Sequence, residues 1–215
     1  YEYLKPKIEK EFKPLAKVAK RKGVSGALPV LEAIDKTAKL YIGGKQKRPD
    51  SGYTLPVYDS KGAFIGQVGE GNRKDIRNAV EAAHAAGSWG SATAHNRAQV
   101  LYYLAENLQS REAAFIDRLV QSTNVSAKGA KKEFDLSLER LFTYAAYADK
   151  YDSHVHQTPY RNVTLAMKEP LGVIGIVAPE EAGLLGFVST VMPAIAMGNR
   201  VVVGPSAPYA VRGRE

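Results

Sequence analysis

The sequence predicts an α/β fold in which a partial parallel sheet follows short strands and a helical segment. Three observations lead there. Gly172–Val177 is a continuous apolar run, Arg200 leads into the apolar Val201–Val203, and Leu184–Met197 between them is apolar all round at the length of a helix. A strand apolar on both faces, a crossover helix and a second such strand make a βαβ unit of a parallel sheet. Residues 40–68 instead break into short extended pieces, and residues 72–148 carry apolar side chains at helical spacing. Two parallel strands leave at least one long edge unpaired, so residues 39–215 read as an incomplete domain.

In chain order, residues 1–38 read as a basic leader or linker. Lys and Glu alternate with small apolar residues, Pro6 and Pro14 interrupt, and Gly23–Pro29 breaks the chain again, the pattern of a solvated charged connection. Leu40–Ile42, Leu55–Tyr58 and Ala63–Val68 are predicted strands, separated by turns at Gly43-Gly44 and Asp59–Gly62. Asn72 with Asp75 three residues on is a capping signature for a helix running to Ala86. Asn96 with Gln99 repeats it before a helix lined by Leu101, Leu104, Ala105 and Leu108. Phe115, Ile116, Leu119 and Val120 mark a third helix, Phe134–Ala148 a fourth and longer one, and Arg161–Met167 alternates as a strand does.

The 215 residues hold 45% hydrophobic side chains, enough for a domain with a core, and no cysteine. Disulfides, thiolate metal sites and thiol nucleophiles are therefore excluded within them. The net charge of +8 is local: residues 1–48 carry thirteen basic and five acidic side chains, and the following residues balance at seventeen of each. With no nucleic-acid-binding motif present, nucleic acid is not an expected partner. The first residues show neither signal nor transit character, and the chain, lacking an initial methionine, reads as a piece of something longer. The uncharged run Ala182–Gly198 contains Gly, Ser, Thr and Pro, so no membrane span is expected. Absent cysteine fits a reducing, cytoplasmic location.

Gly172-Val-Ile-Gly175, Pro179, Leu184-Leu185, Met192-Pro-Ala-Ile-Ala-Met-Gly-Asn199 and Val201-Val-Val-Gly-Pro-Ser206, in that order, resemble the nicotinamide-binding core of the aldehyde dehydrogenase superfamily. Tyr41-Ile-Gly-Gly-Lys45, the Asp59–Gly62 turn, Gly66–Gly71 and the helix from Asp75 resemble its amino-terminal half. Tyr1-Glu-Tyr-Leu-Lys-Pro6, Glu70–His84 and Leu184–Ser189 are further similar to the two-module, family-16 members, whose second module follows a charged linker. The resemblance implies a partial Rossmann-type sheet, NAD or NADP as cofactor, and NAD(P)-linked aldehyde oxidation in the intact family. As partners it implies a sister module or a subunit of the same protein in a homo-oligomer.

Residue by residue, the resemblance also brings departures. In active members the turn after the first parallel strand reads Pro-Trp-Asn, and the Asn amide donates to the oxyanion formed when a cysteine attacks the aldehyde. Here it reads Pro179-Glu180-Glu181. A carboxylate at Glu181 accepts rather than donates, and losing one oxyanion donor costs about 3 kcal/mol before any repulsion. Read without the resemblance, Glu180 and Glu181 simply cap the apolar helix after them, favoured by its dipole. After the second parallel strand the family pattern is Lys-Pro-Ser-Glu, whose lysine and carboxylate hold the ribose hydroxyls. This chain has Gly204-Pro205-Ser206-Ala207, with neither group. The cofactor contacts implied are thus Val177, Ala178, Pro179, Glu180, Gly204, Pro205 and Ser206, with binding weak or lost. The catalytic thiol and the general-base glutamate of the family have no counterpart in these residues, so no catalytic residue is expected and the chain by itself is expected to be inactive, a pseudoenzyme module. The other reading is a non-catalytic assembly module. No metal site is expected either: His154 and His156 lie on an extended segment without a third ligand and read as surface side chains. Trp89 is expected to pack a helix end, and Tyr144, Tyr147 and Tyr151 to face a core or an interface.

Overall fold

The computed structural model describes residues 37–59, 61–123 and 125–205. The predicted leader, apart from its last two residues, and Ser206 lie outside the described residues. The described chain opens with two hairpins. β1 (Leu40–Ile42) pairs antiparallel with β2 (Lys45–Lys47), and β3 (Thr54–Tyr58) with β4 (Phe64–Gly69). Gly43 and Gly44 make the first turn at φ of 61° and 74°, a left-handed conformation that side chains resist. The second turn is held by Asp59, whose Oδ1 accepts from the backbone N–H of Lys61 and Ala63 at 2.8 and 2.7 Å. Ala38, Val57 and Val68 form a small core at this hairpin.

α1 (Arg73–Ala85) starts at the capping box the sequence announces. Asn72 Oδ1 accepts from the N–H of Lys74 and Asp75, and Asp75 Oδ2 accepts from Asn72 N. Buried Asp75 also accepts from Asp50 N, tying the loop before β3 to the helix. A single turn, α2 (Ser88–Ser91), leads to α3 (Ala94–Ser110), α4 (Glu112–Ser122) and α5 (Ala127–Lys150). The cap of α3 is Thr93, not Asn96: Thr93 is extended at ψ 149° and its Oγ1 accepts from Asn96 N, so Asn96 already sits in the first turn. The signature was there, three residues early, because Ala94 and His95 fit a first turn as readily as a loop.

β5 (His154–Gln157) and β6 (Val163–Ala166) form an antiparallel hairpin exposed along its whole length. β7 (Val173–Val177), α6 (Gly183–Ala196) and β8 (Arg200–Gly204) then make the predicted βαβ unit, with β7 and β8 parallel in the register Val173 to Arg200 through Val177 to Gly204. Among the described residues β7 and β8 pair only with each other.

The main core lies where α3, α5 and α6 meet. Ala98, Leu101 and Ala105 of α3, Leu141, Ala145 and Ala148 of α5, and Val188, Val191, Met192 and Ala196 of α6 are buried together, with Ile176, Val201 and Val203 of the parallel strands packed against them. The many alanines permit close helix approach, and each buried Leu or Val side chain contributes about 1.5–3 kcal/mol. The end of α6 is fixed from outside: Trp89 Nε1 donates to Ile195 O at 3.0 Å and Arg97 Nε to Ala196 O at 3.0 Å. Trp89 thus packs a helix end, as its position suggested. Gly198 turns the chain at φ 85°, and buried Asn199 accepts from Gly172 N at 3.0 Å, locking the start of β8 to the start of β7.

Candidate active site at the ends of the parallel strands

The parallel ladder decides where the predicted residues go. Val177 lies opposite Gly204, and Ala178 N donates to Gly204 O at 3.0 Å. Val177 and Ala178 are therefore neighbours of Gly204 at the carboxyl ends of the strands, where open α/β sheets bind their ligands, with Pro179 and Glu180 following in the turn and Pro205 just after β8. Ala178 is buried and Pro179 half-buried, whereas Glu180, Glu181, Gly204 and Pro205 are exposed and Val177 is 90% exposed.

The turn between β7 and α6 is close-fitting. A side chain at Gly186 would overlap the Pro179 ring, so glycine in the first turn of α6 lets the turn fold back on the helix. Ala182 is the only described non-glycine residue with positive φ, at φ 48° and ψ 63°. A left-handed alanine costs on the order of 1 kcal/mol, and such strain tends to gather at functional turns.

Glu180 and Glu181 do not cap α6. The N-cap residue is Ala182, with no side-chain hydrogen bond of its own, and the carboxylate that satisfies the helix end comes from α5: Glu133 Oε1 accepts from Leu184 N at 3.0 Å and from Leu185 N at 3.3 Å. The physical reason is the left-handed step at Ala182, which leaves both preceding carboxylates exposed to solvent while α5 runs beside the helix start. Arg140 adds a second link between the helices, donating to Ser189 Oγ at 2.6 Å. Glu133 was not found by reading the sequence, because its partners are 51 and 52 residues away and no local pattern marks a cap delivered by another helix.

The turn offers little to a dinucleotide. The Ala178 N–H is spent on Gly204, the Leu184 and Leu185 N–H groups on Glu133, and Gly204 brings no side chain. Glu180 and Glu181 add two exposed carboxylates and no cation to the turn. Among the described residues the turn therefore presents NAD or NADP with backbone surface near Val177–Pro179 and with no cationic or donating side chain. Tyr144 packs against the main core, and Tyr147 and Tyr151 lie edge to face at 6.4 Å on the exposed end of α5, where Lys168 Nζ sits 3.3 Å above the Tyr151 ring. Among the described residues no three His, Asp or Glu side chains gather into a metal cluster, and no helix is long and apolar enough to cross a membrane.

Known proteins give this geometry its lineage. The family model described as the aldehyde dehydrogenase family matches residues 48–212. An aldehyde dehydrogenase of Agaricus bisporus is 32% identical over 174 residues, covering 78% of this chain and 34% of that protein. Retinal dehydrogenase 2 of Homo sapiens is 31% identical over 183 residues, 80% of this chain and 34% of that protein. Vanillin dehydrogenase of Amycolatopsis is 28% identical, covering 79% of this chain and 35% of that protein. The chain thus spans about a third of the length of the relatives it matches. Among solved structures, betaine aldehyde dehydrogenase of Staphylococcus aureus in complex with NAD+ superimposes with a TM-score of 0.76 at 24% identity, over 79% of this chain and 35% of that one, which shows a shared fold. The matching family model, the relatives and the βαβ unit with its close-packed turn agree: the chain belongs to the aldehyde dehydrogenase family.

Proposed function

We propose that these residues form an aldehyde dehydrogenase-type module that retains the family fold but not a working cofactor and oxyanion site, so that it binds NAD or NADP weakly and oxidises no aldehyde by itself. The observation that carries this reading is the turn at the ends of β7 and β8. Exposed Glu181 stands where an oxyanion donor is needed, and Gly204 stands where a ribose-binding lysine is needed. The lysine and carboxylate that Gly204 and Ala207 replace would each add a charge-assisted hydrogen bond of about 1.5–3 kcal/mol to the ribose, and several kcal/mol amount to roughly a thousandfold or more in cofactor affinity. The 215 residues contain no cysteine, so a covalent step on an aldehyde needs a thiol from outside them. The basic leader and the phrases shared with two-module members support a second-module position, beside a sister module in a cytoplasmic homo-oligomer.

One feature favours a non-catalytic assembly role over a merely weakened enzyme. The β5–β6 hairpin and the approach to β7 expose Val155, Val163, Leu165, Met167 and Leu171, more apolar surface than two short strands need. The experiment is a calorimetric titration of the chain with NAD and with NADP, followed by an assay of NADH formation from a panel of aldehydes. The proposal predicts saturation only in the millimolar range or above, and no turnover. Micromolar binding, or turnover, would overturn it.

A further inference from the structure

We infer that His154 and His156 on β5 form a two-histidine site for a late first-row divalent transition-metal ion, Cu2+ above all. Residues two apart on a strand project to the same face, and here the imidazole centroids are 6.2 Å apart with the rings tilted by 45°. Metal–imidazole bonds are about 2.0–2.1 Å long, so one ion between the rings reaches a nitrogen of each after side-chain rotation, with no change in the backbone. The antiparallel register places Ala166 opposite His154 and Thr164 opposite His156, on that same face. Both are small, which leaves the hemisphere above the pair open for water or a third, exogenous ligand. All four residues of β5 are exposed, so the ion needs no entry path.

The ligand chemistry selects the ion. Two neutral imidazoles without a carboxylate are poor ligands for Mg2+ or Ca2+ and good ones for Cu2+, Ni2+ and Zn2+, with Cu2+ strongest in the usual order of stability. Imidazole binds only when neutral, so binding weakens on acidification. The other two histidines differ. His95 faces Asp149 with Nδ1 to Oδ2 at 3.8 Å, and His84 lies in the last turn of α1 with no second imidazole beside it in sequence.

The test uses the full chain without an affinity tag, titrated with Cu2+ alone by calorimetry and examined by electron paramagnetic resonance. The expected result is one Cu2+ per chain with hyperfine coupling from two imidazole nitrogens, and weaker binding of Ni2+ and Zn2+. Loss of an outer-sphere partner costs roughly 10–100-fold in metal affinity, and loss of a ligand costs no less, so His154→Ala and His156→Ala each lower Cu2+ affinity tenfold or more. His84→Ala and His95→Ala leave it unchanged. His154→Gln serves as a second variant that keeps side-chain volume, and circular dichroism checks that each variant is folded. Cu2+ affinity unaltered in the His154 and His156 variants, or a spectrum with fewer than two imidazole nitrogens, would overturn the assignment.

Discussion

Ala182 holds a left-handed backbone with a side chain that disfavours it, at the joint between the β7 strand and the helix it feeds. Glycine adopts that conformation freely, and the strain removed exceeds the flexibility added to the unfolded chain. Ala182→Gly is therefore expected to raise the unfolding free energy by about 0.5–1 kcal/mol, read as a shift of the urea midpoint with unchanged slope; a loss of stability would mean that the alanine methyl makes a contact that outweighs the strain. The reverse logic applies at Gly186, where alanine drives a methyl into the Pro179 ring. Residue-scale features were unevenly legible in the sequence. Asn72 and Asp75 announced their capping box because both partners lie within one turn. Nothing in Glu180-Glu181-Ala182-Gly183 says that the left-handed step falls on the alanine rather than the glycine, since that choice is made by how α6 packs.

At the scale of elements, α6 depends on a neighbour for its start. Glu133 from α5 satisfies two of its first-turn N–H groups, and Arg140 from α5 reaches Ser189 one turn further on. Removing a cap costs about 0.5–2 kcal/mol. Glu133→Ala should lower stability by that amount and speed hydrogen exchange at the Leu184 and Leu185 amides, while Glu133→Gln, which keeps an acceptor, should recover most of the loss. Equal exchange rates in all three proteins would show that the bond contributes nothing to α6. The βαβ unit itself was visible in the sequence because its strands and helix are continuous apolar runs such as Gly172–Val177 and Leu184–Met197, although β7 is only partly covered and Val177 at its end is exposed. β2, Lys45–Lys47, was not visible: all three of its residues are polar and exposed, and its only reason to be a strand is backbone pairing with β1. The four helices before the sheet were found by their apolar faces, and α2, one turn long, has too few residues to show a period.

For the whole molecule, the core is shared by α3, α5, α6 and the parallel strands, so a single cavity should be felt throughout. Leu141 is 1% exposed at the centre of that cluster, and Leu141→Ala should cost about 2–5 kcal/mol, a large part of a domain's usual 5–15 kcal/mol. Cooperative melting of the chain at lower denaturant checks this; a change below about 1 kcal/mol would mean that the site collapses around the gap. The family was legible in the sequence because its phrases span strand, turn, helix and strand in one order, each with a structural reason to be kept. The proposed loss of function was legible as three departures, Glu181, Gly204 and Ala207; the parallel register adds that Val177, at the start of the turn, lies opposite Gly204. The central claim, that this fold is retained without a working dinucleotide site, is tested most directly by titrating NAD into the chain and into Gly204→Lys side by side. The account predicts saturation of the parent only at millimolar NAD or above, and a gain of roughly tenfold or more in the lysine variant. Micromolar binding by the parent with no gain from lysine would contradict it.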